Sequence, residues 1–283
     1  MSYALTAAVV GCAVAALATW LVSVVTREYS WVDRLWSLAP PAYVAWFGSQ
    51  TGFSDPRLVL MTALAFLWGA RLTFNFARKG GYARGGEDYR WAELRRRMSP
   101  AAFQIFNFFF VAGFQNGVLL LFTLPAHTAL AHAGTPLGPL DAVAAGLFVL
   151  LLVGETVADE QQWRFQEDKK ARRARGEPVR AEFVTTGLFR FSRHPNFFCE
   201  QAMWWAFYLF AVAAGGGWLD LSLLGPVVLT ALFQGSTHFT ESLSLAKYPE
   251  YAAYQRRVSR LWPWPPRRAT KPAGAPGSAR PAA

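Results

Sequence analysis

Residues 140–158 read LDAVAAGLFVLLLVGETVA, and residues 159–165 continue DEQQWRF. A helix crosses a bilayer with about 20 mostly apolar residues, so residues 140–158 predict a spanning helix. Its far end is unusual. Glu155, Asp159 and Gln162 follow one another at helical spacing and therefore share one face. Acidic groups at membrane depth are costly and mark sites. This stretch therefore predicts a membrane protein with polar chemistry at one end of its bundle.

The rest of the chain supports that reading. Of 283 residues, 53% are apolar and only 16% charged, whereas a soluble domain carries roughly 25% charge. Seven candidate spans appear, at about Tyr3–Val25, Trp31–Gly48, Arg57–Ala77, Ala101–Leu124, Leu140–Ala158, Phe197–Ala214 and Trp218–Gln234. Pro40-Pro41 is expected to kink the second span, and Gly215-Gly216-Gly217 to form a tight hairpin between the last two. Three connections are basic, with seven Lys+Arg in residues 78–100, nine in 159–195 and eight after His238. With Arg27 they hold 25 of the 28 basic residues, all on one side if there are seven spans. The positive-inside rule makes that side cytoplasmic. The expected fold is an all-α integral membrane protein of seven transmembrane helices, amino terminus outside and carboxyl terminus cytoplasmic. Residues 1–262 would form the catalytic domain and 263–283, rich in Pro and Ala, a disordered basic tail. A composition rich in Ala and Arg points to a bacterial inner (cell) membrane.

The net charge of +10 is accounted for by topology and anionic lipid, and nucleic acid is not expected as a partner. Two cysteines, Cys12 and Cys199, make no disulfide framework, and no Cys/His cluster has zinc-like spacing. No metal site is expected.

Polar groups gather at the cytoplasmic ends. Asp33 and Arg34 open span two, Arg71 and Asn75 lie one turn apart on span three, and Gln104 and Asn107 begin span four. Asn196 and Glu200 begin span six, and His238 and Glu241 leave span seven. A transporter needs polar groups near the midplane and exits on both faces. A layer opening inward only, beside apolar helices, fits better an enzyme that takes a water-soluble cofactor from the cytoplasm and a lipophilic substrate from the bilayer. A transporter or a scaffold is the non-enzymatic alternative. The densest segment is residues 186–200, TGLFRFSRHPNFFCE. Arg190 and Arg193, with His194 before the Pro195 that opens a helix, suit an anion at the helix terminus.

Ser192-Arg193-His194-Pro195-Asn196-Phe197 with Glu200 resembles the Arg-His-Pro-x-Tyr-x-Gly-Glu signature of one membrane superfamily. That superfamily holds the steroid 5-alpha-reductases, sterol C14 and C24(28) reductases and isoprenylcysteine carboxyl methyltransferases. Residues 31–37 (WVDRLWS), 154–165 (GETVADEQQWRF), 248–254 (YPEYAAY) and 260–263 (RLWP) resemble its reductase-like bacterial branch. The resemblance covers about residues 30 to 265. It implies a seven-helix bundle holding NADPH near the cytoplasmic face, with a hydride passing to an activated C=C bond of a lipophilic, steroid- or isoprenoid-like enone. It carries cofactor contacts to Arg71, Asn75, Asp159, Gln162, Arg193, His194, Asn196 and Glu200, beside Arg190. Phe197 replaces the usual Tyr, and Cys199 the Gly before the Glu. Of the two groups that polarise the ketone in steroid 5-alpha-reductases, Asp33 stands in for the acid on span two and Trp68 occupies the place of the Tyr on span three. Asp33 and Tyr82, or Tyr89, are then the candidate proton donors, with Arg34 favouring the ionised form of Asp33. The rival within the superfamily is an S-adenosylmethionine-dependent lipid or prenylcysteine methyltransferase using the same segment.

Overall fold

The computed structural model describes residues 2–83, 85–179 and 181–267. It is all-α; among these residues the sole strand-like feature is an isolated bridge between Ser192 and Ser259. The helices are α1 (Tyr3–Thr26), α2 (Trp31–Leu35), α3 (Ala39–Ser49), α4 (Pro56–Arg78), α5 (Tyr89–Arg97), α6 (Pro100–Phe106), α7 (Gln115–Leu121), α8 (Leu124–Ala131), α9 (Pro139–Ala174), α10 (Pro195–Ala211), α11 (Leu224–Lys247) and α12 (Tyr251–Arg257). Five continuous stretches are long and apolar enough to cross a membrane: Tyr3–Thr26, Pro56–Arg78, Pro100–Ala131, Pro139–Ala174 and Pro195–Gly216. The molecule is an integral, multi-pass membrane protein. Its outer surface agrees, since Val10, Val14, Leu17 and Leu21 of α1 and Val143, Leu147, Leu150 and Val153 of α9 are exposed. Their apolar side chains suit lipid.

Two expected spans are not continuous apolar helices. The second divides into α2 and α3. The division falls at residues 36–38, ahead of the prolines, and Pro40 and Pro41 sit in the first turn of α3. Proline is favoured there because the first-turn N–H groups have no helical partner; the kink expected at Pro40-Pro41 is a break one turn earlier. The chain leaves α10 through Gly215 and Gly217, whose φ values are 109° and 78°, in the region that glycine enters without a Cβ penalty. Asp220 then caps a short 3-10 turn, Leu221–Leu223. The last long helix begins at Leu224 rather than Trp218.

The third stretch, Pro100–Ala131, loosens into a π-helix over Asn107–Phe114 and turns at residues 122–123 between α7 and α8. Its polar residues bind neighbouring helices. Gln104 donates to Tyr29 Oη at 2.9 Å, Asn107 to Ser23 Oγ at 2.9 Å and Asn116 to Thr19 Oγ1 at 3.2 Å, while Gln115 accepts from Trp36 at 3.0 Å. Ser23 and Thr19 belong to α1, so these amides tie that lipid-facing helix to the bundle. Gln104 and Asn107 serve this seam and not the site.

At the opposite end, Arg57 at the start of α4 grips Asp141 at the start of α9 at 2.7 and 3.0 Å. Both side chains are almost wholly buried. Further in, Trp68, Phe122, Phe148, Trp204 and Phe207 pack ring against ring. Cys12 and Cys199 are both free. After α12 the chain returns: Trp264 N–H donates to Phe191 O at 3.0 Å and Arg267 N–H to Arg257 O at 2.8 Å. Residues 263–267 thus belong to the fold, and the remainder of the expected tail, 268–283, lies outside the described residues.

Candidate functional site

Three helices present the same pattern, two polar residues four apart: Arg71 and Asn75 on α4, Glu155 and Asp159 on α9, Asn196 and Glu200 on α10. Residues at i and i+4 lie on one helix face, and the three faces converge. Arg71 pairs with Glu155 and reaches Asp159 Oδ2 at 3.0 Å. Asn75 donates to the same oxygen at 2.7 Å, and Asn196 to Asp159 Oδ1 at 3.4 Å. Glu200 accepts from the indoles of Trp68, at 2.9 and 3.1 Å, and Trp204, at 3.0 Å. Arg71, Asn75, Asp159, Asn196 and Glu200, named from the sequence, therefore form one buried cluster. Arg71 Nε and Nη1 and Glu155 Oε2 have no hydrogen-bond partner there, which is costly away from water.

A second constellation adjoins it. His194 stands immediately before α10, whose first residue is Pro195. The Arg193 guanidinium meets Glu241 of α11 through two parallel bonds of 2.6 and 2.8 Å. Its remaining nitrogen donates to Gln255 O at 3.0 Å and Val258 O at 2.5 Å. His194 Nε2 lies 3.0 Å from the same carboxylate. Arg193 is thus committed to holding α11 and the end of α12 against the start of α10. The expected cradle of two guanidiniums does not form, because Arg190 is exposed and stacks over Phe191.

A cavity of about 580 Å³ opens beside these residues. Arg193, His194, Asn196 and Gln162 line it, together with Lys169, Lys170, Arg173 and Lys247. Phe183, Tyr248, Tyr251 and Tyr254 supply an aromatic side, with Phe183 contacting all three tyrosines. Gln162 Oε1 and Thr240 Oγ1, both from lining residues, have no partner. Lys169 is buried and bonded to Glu182, by ion pair at 2.7 Å and to its carbonyl at 2.6 Å. The Lys169 ammonium on the carboxylate holds the Glu182 carboxyl below its ordinary range. Asn196 lines the cavity and also reaches Asp159, linking cavity and cluster.

The two expected proton donors lie elsewhere. Asp33 accepts from Trp91 Nε1 at 2.8 Å, while Arg34 pairs with Glu28 at 3.0 Å rather than with Asp33. Tyr82 shares a hydrogen bond with Ser37 Oγ at 3.1 Å, and Thr73 donates to that same oxygen. Neither Asp33 nor Tyr82 lines the cavity; Tyr89 does. His238 is exposed. Sequence reasoning did not identify the indoles of Trp68 and Trp204 as donors to Glu200, nor the role of Lys169. The three-residue spacing of Tyr248, Tyr251 and Tyr254 was the signal available for the aromatic side.

The chain belongs to the family described as Protein of unknown function (DUF1295), which matches residues 19–258. It is also similar to an uncharacterised protein of Schizosaccharomyces pombe, 40% identical over 258 residues, covering 86% of this chain and 75% of that protein. No solved structure matches it.

Proposed function

We propose that this DUF1295 protein is a membrane-embedded, NADPH-dependent reductase acting on an activated C=C bond of a lipophilic enone. The observation that carries the reading is the cavity of about 580 Å³, with cationic and tyrosine-rich walls, joined through Asn196 to a cluster buried among apolar helices. Its volume falls in the usual range for ligand sites, about 300–1,000 Å³. Lysines and arginines suit phosphates, and tyrosine rings suit heteroaromatic faces. The residues present fit such a cofactor.

In this reading the chain makes seven crossings, with α2–α3 and α11 as the second and seventh, the amino terminus outside and the carboxyl terminus cytoplasmic. The basic residues then face the cytoplasm, where NADPH is found. Lys170, Arg173 and Lys247 would hold its phosphates, and Gln162, His194 and Asn196 its inner end. Bound NADPH supplies the hydride. The protein orients both reactants, keeps water from the apolar helices and stabilises charge developing on the substrate oxygen.

The test is purification in mild detergent, mass analysis of small molecules that copurify, and titration with NADPH, NADH and S-adenosylmethionine. NADP(H) in the preparation and preference for NADPH are expected. S-adenosylmethionine or its homocysteine product would replace the reading with a methyltransferase.

A further inference from the structure

Arg190 is exposed and lies outside the cavity, although its sequence setting suits an anion. Its guanidinium stacks over Phe191, whose carbonyl accepts the Trp264 N–H at 3.0 Å. Arg267, three residues on, donates its N–H to Arg257 O at 2.8 Å. Arg190, Arg257 and Arg267 are thus gathered around the segment that returns to the start of α10. All three are exposed, and among the described residues none forms an ion pair.

The same segment holds two large apolar side chains in the open, Trp262 at 72% and Trp264 at 70% exposure. Their depth follows from α10. Trp262 packs against Phe198 with ring centroids 5.3 Å apart, and Phe198 sits in the first turn of the spanning stretch Pro195–Gly216. Trp205, seven residues along the same helix face, is 38% exposed, so this face reaches the lipid-exposed surface. Trp262 therefore continues a lipid-facing stripe at the level where α10 enters the bilayer, and tryptophan concentrates at that level. The backbone suits it too. Pro263, Pro265 and Pro266 carry no N–H, and the Trp264 N–H between them is bonded to Phe191 O. No donor in 263–266 is left to seek water.

We propose that residues 259–267, with Arg190 and Arg257, form a binding site for an anionic lipid in the leaflet where α10 begins. The indoles of Trp262 and Trp264 lie at headgroup level, and the three guanidiniums take the headgroup phosphate. A zwitterionic headgroup brings its own cation against them, so an anionic one is preferred. The bound lipid holds the returning segment against Phe191 and so steadies the adjoining cavity wall at Arg193 and His194. The site does not depend on which ligand the cavity takes.

The test is backbone hydrogen exchange of the full-length protein in nanodiscs of phosphatidylcholine, alone or mixed with phosphatidylglycerol. Exchange over residues 259–267 should be slower with phosphatidylglycerol, and Arg190→Gln and Arg267→Gln should each remove about fivefold of that slowing. Residues 217–223, beyond the other end of α10, should exchange equally in both lipids. Equal wild-type rates over 259–267 in the two lipids would overturn the proposal, as would the same slowing over 217–223. Depth is read separately. Lipids brominated close to the headgroup should quench a larger fraction of the wild-type tryptophan emission than of Trp262→Phe combined with Trp264→Phe. Equal fractions would place the indoles outside the bilayer and overturn the site. A dimer in the same nanodiscs that this double variant separates would assign the surface to a second copy instead.

Discussion

The indole of Trp68 on α4 lies within hydrogen-bonding distance of both carboxylate oxygens of Glu200 on α10, at 2.9 and 3.1 Å. With Trp204 on the other side, a buried carboxylate is held by neutral donors while the nearest guanidinium serves its neighbours. Trp68→Phe keeps most of the packing and removes the donor. Leaving a buried acceptor short of a partner costs about 1–3 kcal/mol, so the unfolding midpoint in detergent should fall. An unchanged midpoint would mean that this contact adds nothing to the fold.

The Arg57–Asp141 pair makes a different prediction. Removing one partner of a buried ion pair costs about 3–5 kcal/mol, whereas replacing both with apolar residues is often neutral. Arg57→Ala should therefore be strongly destabilising, and Arg57→Met combined with Asp141→Leu should recover part of that loss in chemical unfolding, the remainder coming from the Thr135 and Pro136 carbonyls and the Gly138 N–H that the pair also serves. Because this pair joins the ends of α4 and α9 away from the cavity, NADPH affinity of the folded double variant should not change.

Glu241 is the anchor for Arg193. In Glu241→Gln the charge that holds the guanidinium is lost, and charge-assisted hydrogen bonds are worth about 1.5–3 kcal/mol. Backbone hydrogen exchange over residues 255–267 should accelerate by about tenfold to a hundredfold, while exchange in α1 stays the same. Uniform acceleration along the chain would show global loosening instead.

The cationic side of the cavity is exposed enough to be screened. Lys170→Ala with Lys247→Ala should weaken NADPH binding by up to about thirtyfold at low salt, with less effect on NADH and a shrinking difference as ionic strength rises. The Lys169–Glu182 contact behaves otherwise with pH. Its carboxyl is held below the usual range by the Lys169 hydrogen bond, so the contribution is present above the unfolded value and is lost only as pH falls through the lowered folded value. Titrations from neutral to mildly acidic pH should therefore show no loss of binding traceable to Glu182.

Much of this was legible in the sequence where geometry is local. The i, i+4 spacing in α4, α9 and α10 brought Arg71, Asn75, Asp159, Asn196 and Glu200 together as read, because helical periodicity fixes which face a side chain occupies. What depends on partners from distant segments was not legible. Arg193 reads as a free anion binder until Glu241, 48 positions on, is seen to take it. Asp33 and Arg34 look like a neutralising pair, yet each finds a partner elsewhere. The break in the second span followed neighbour packing too: a Cβ on Gly69 would lie 2.6 Å from both Pro41 Cγ and Ser37 O, so α4 is pressed against the broken turn itself.

The return of the chain after α12 has a consequence for biogenesis. Ser192 Oγ donates to Leu261 O at 2.7 Å, and the backbone N–H groups of Arg193 and His194 donate to Ser259 O and Arg260 O. The entrance to α10 is thus clasped by residues synthesised some 65 positions later. A translocon can release every membrane crossing before that clasp exists. Chains truncated ahead of Val258 and released should accordingly reach the bilayer with their helices in place and the cavity beside α10 unassembled.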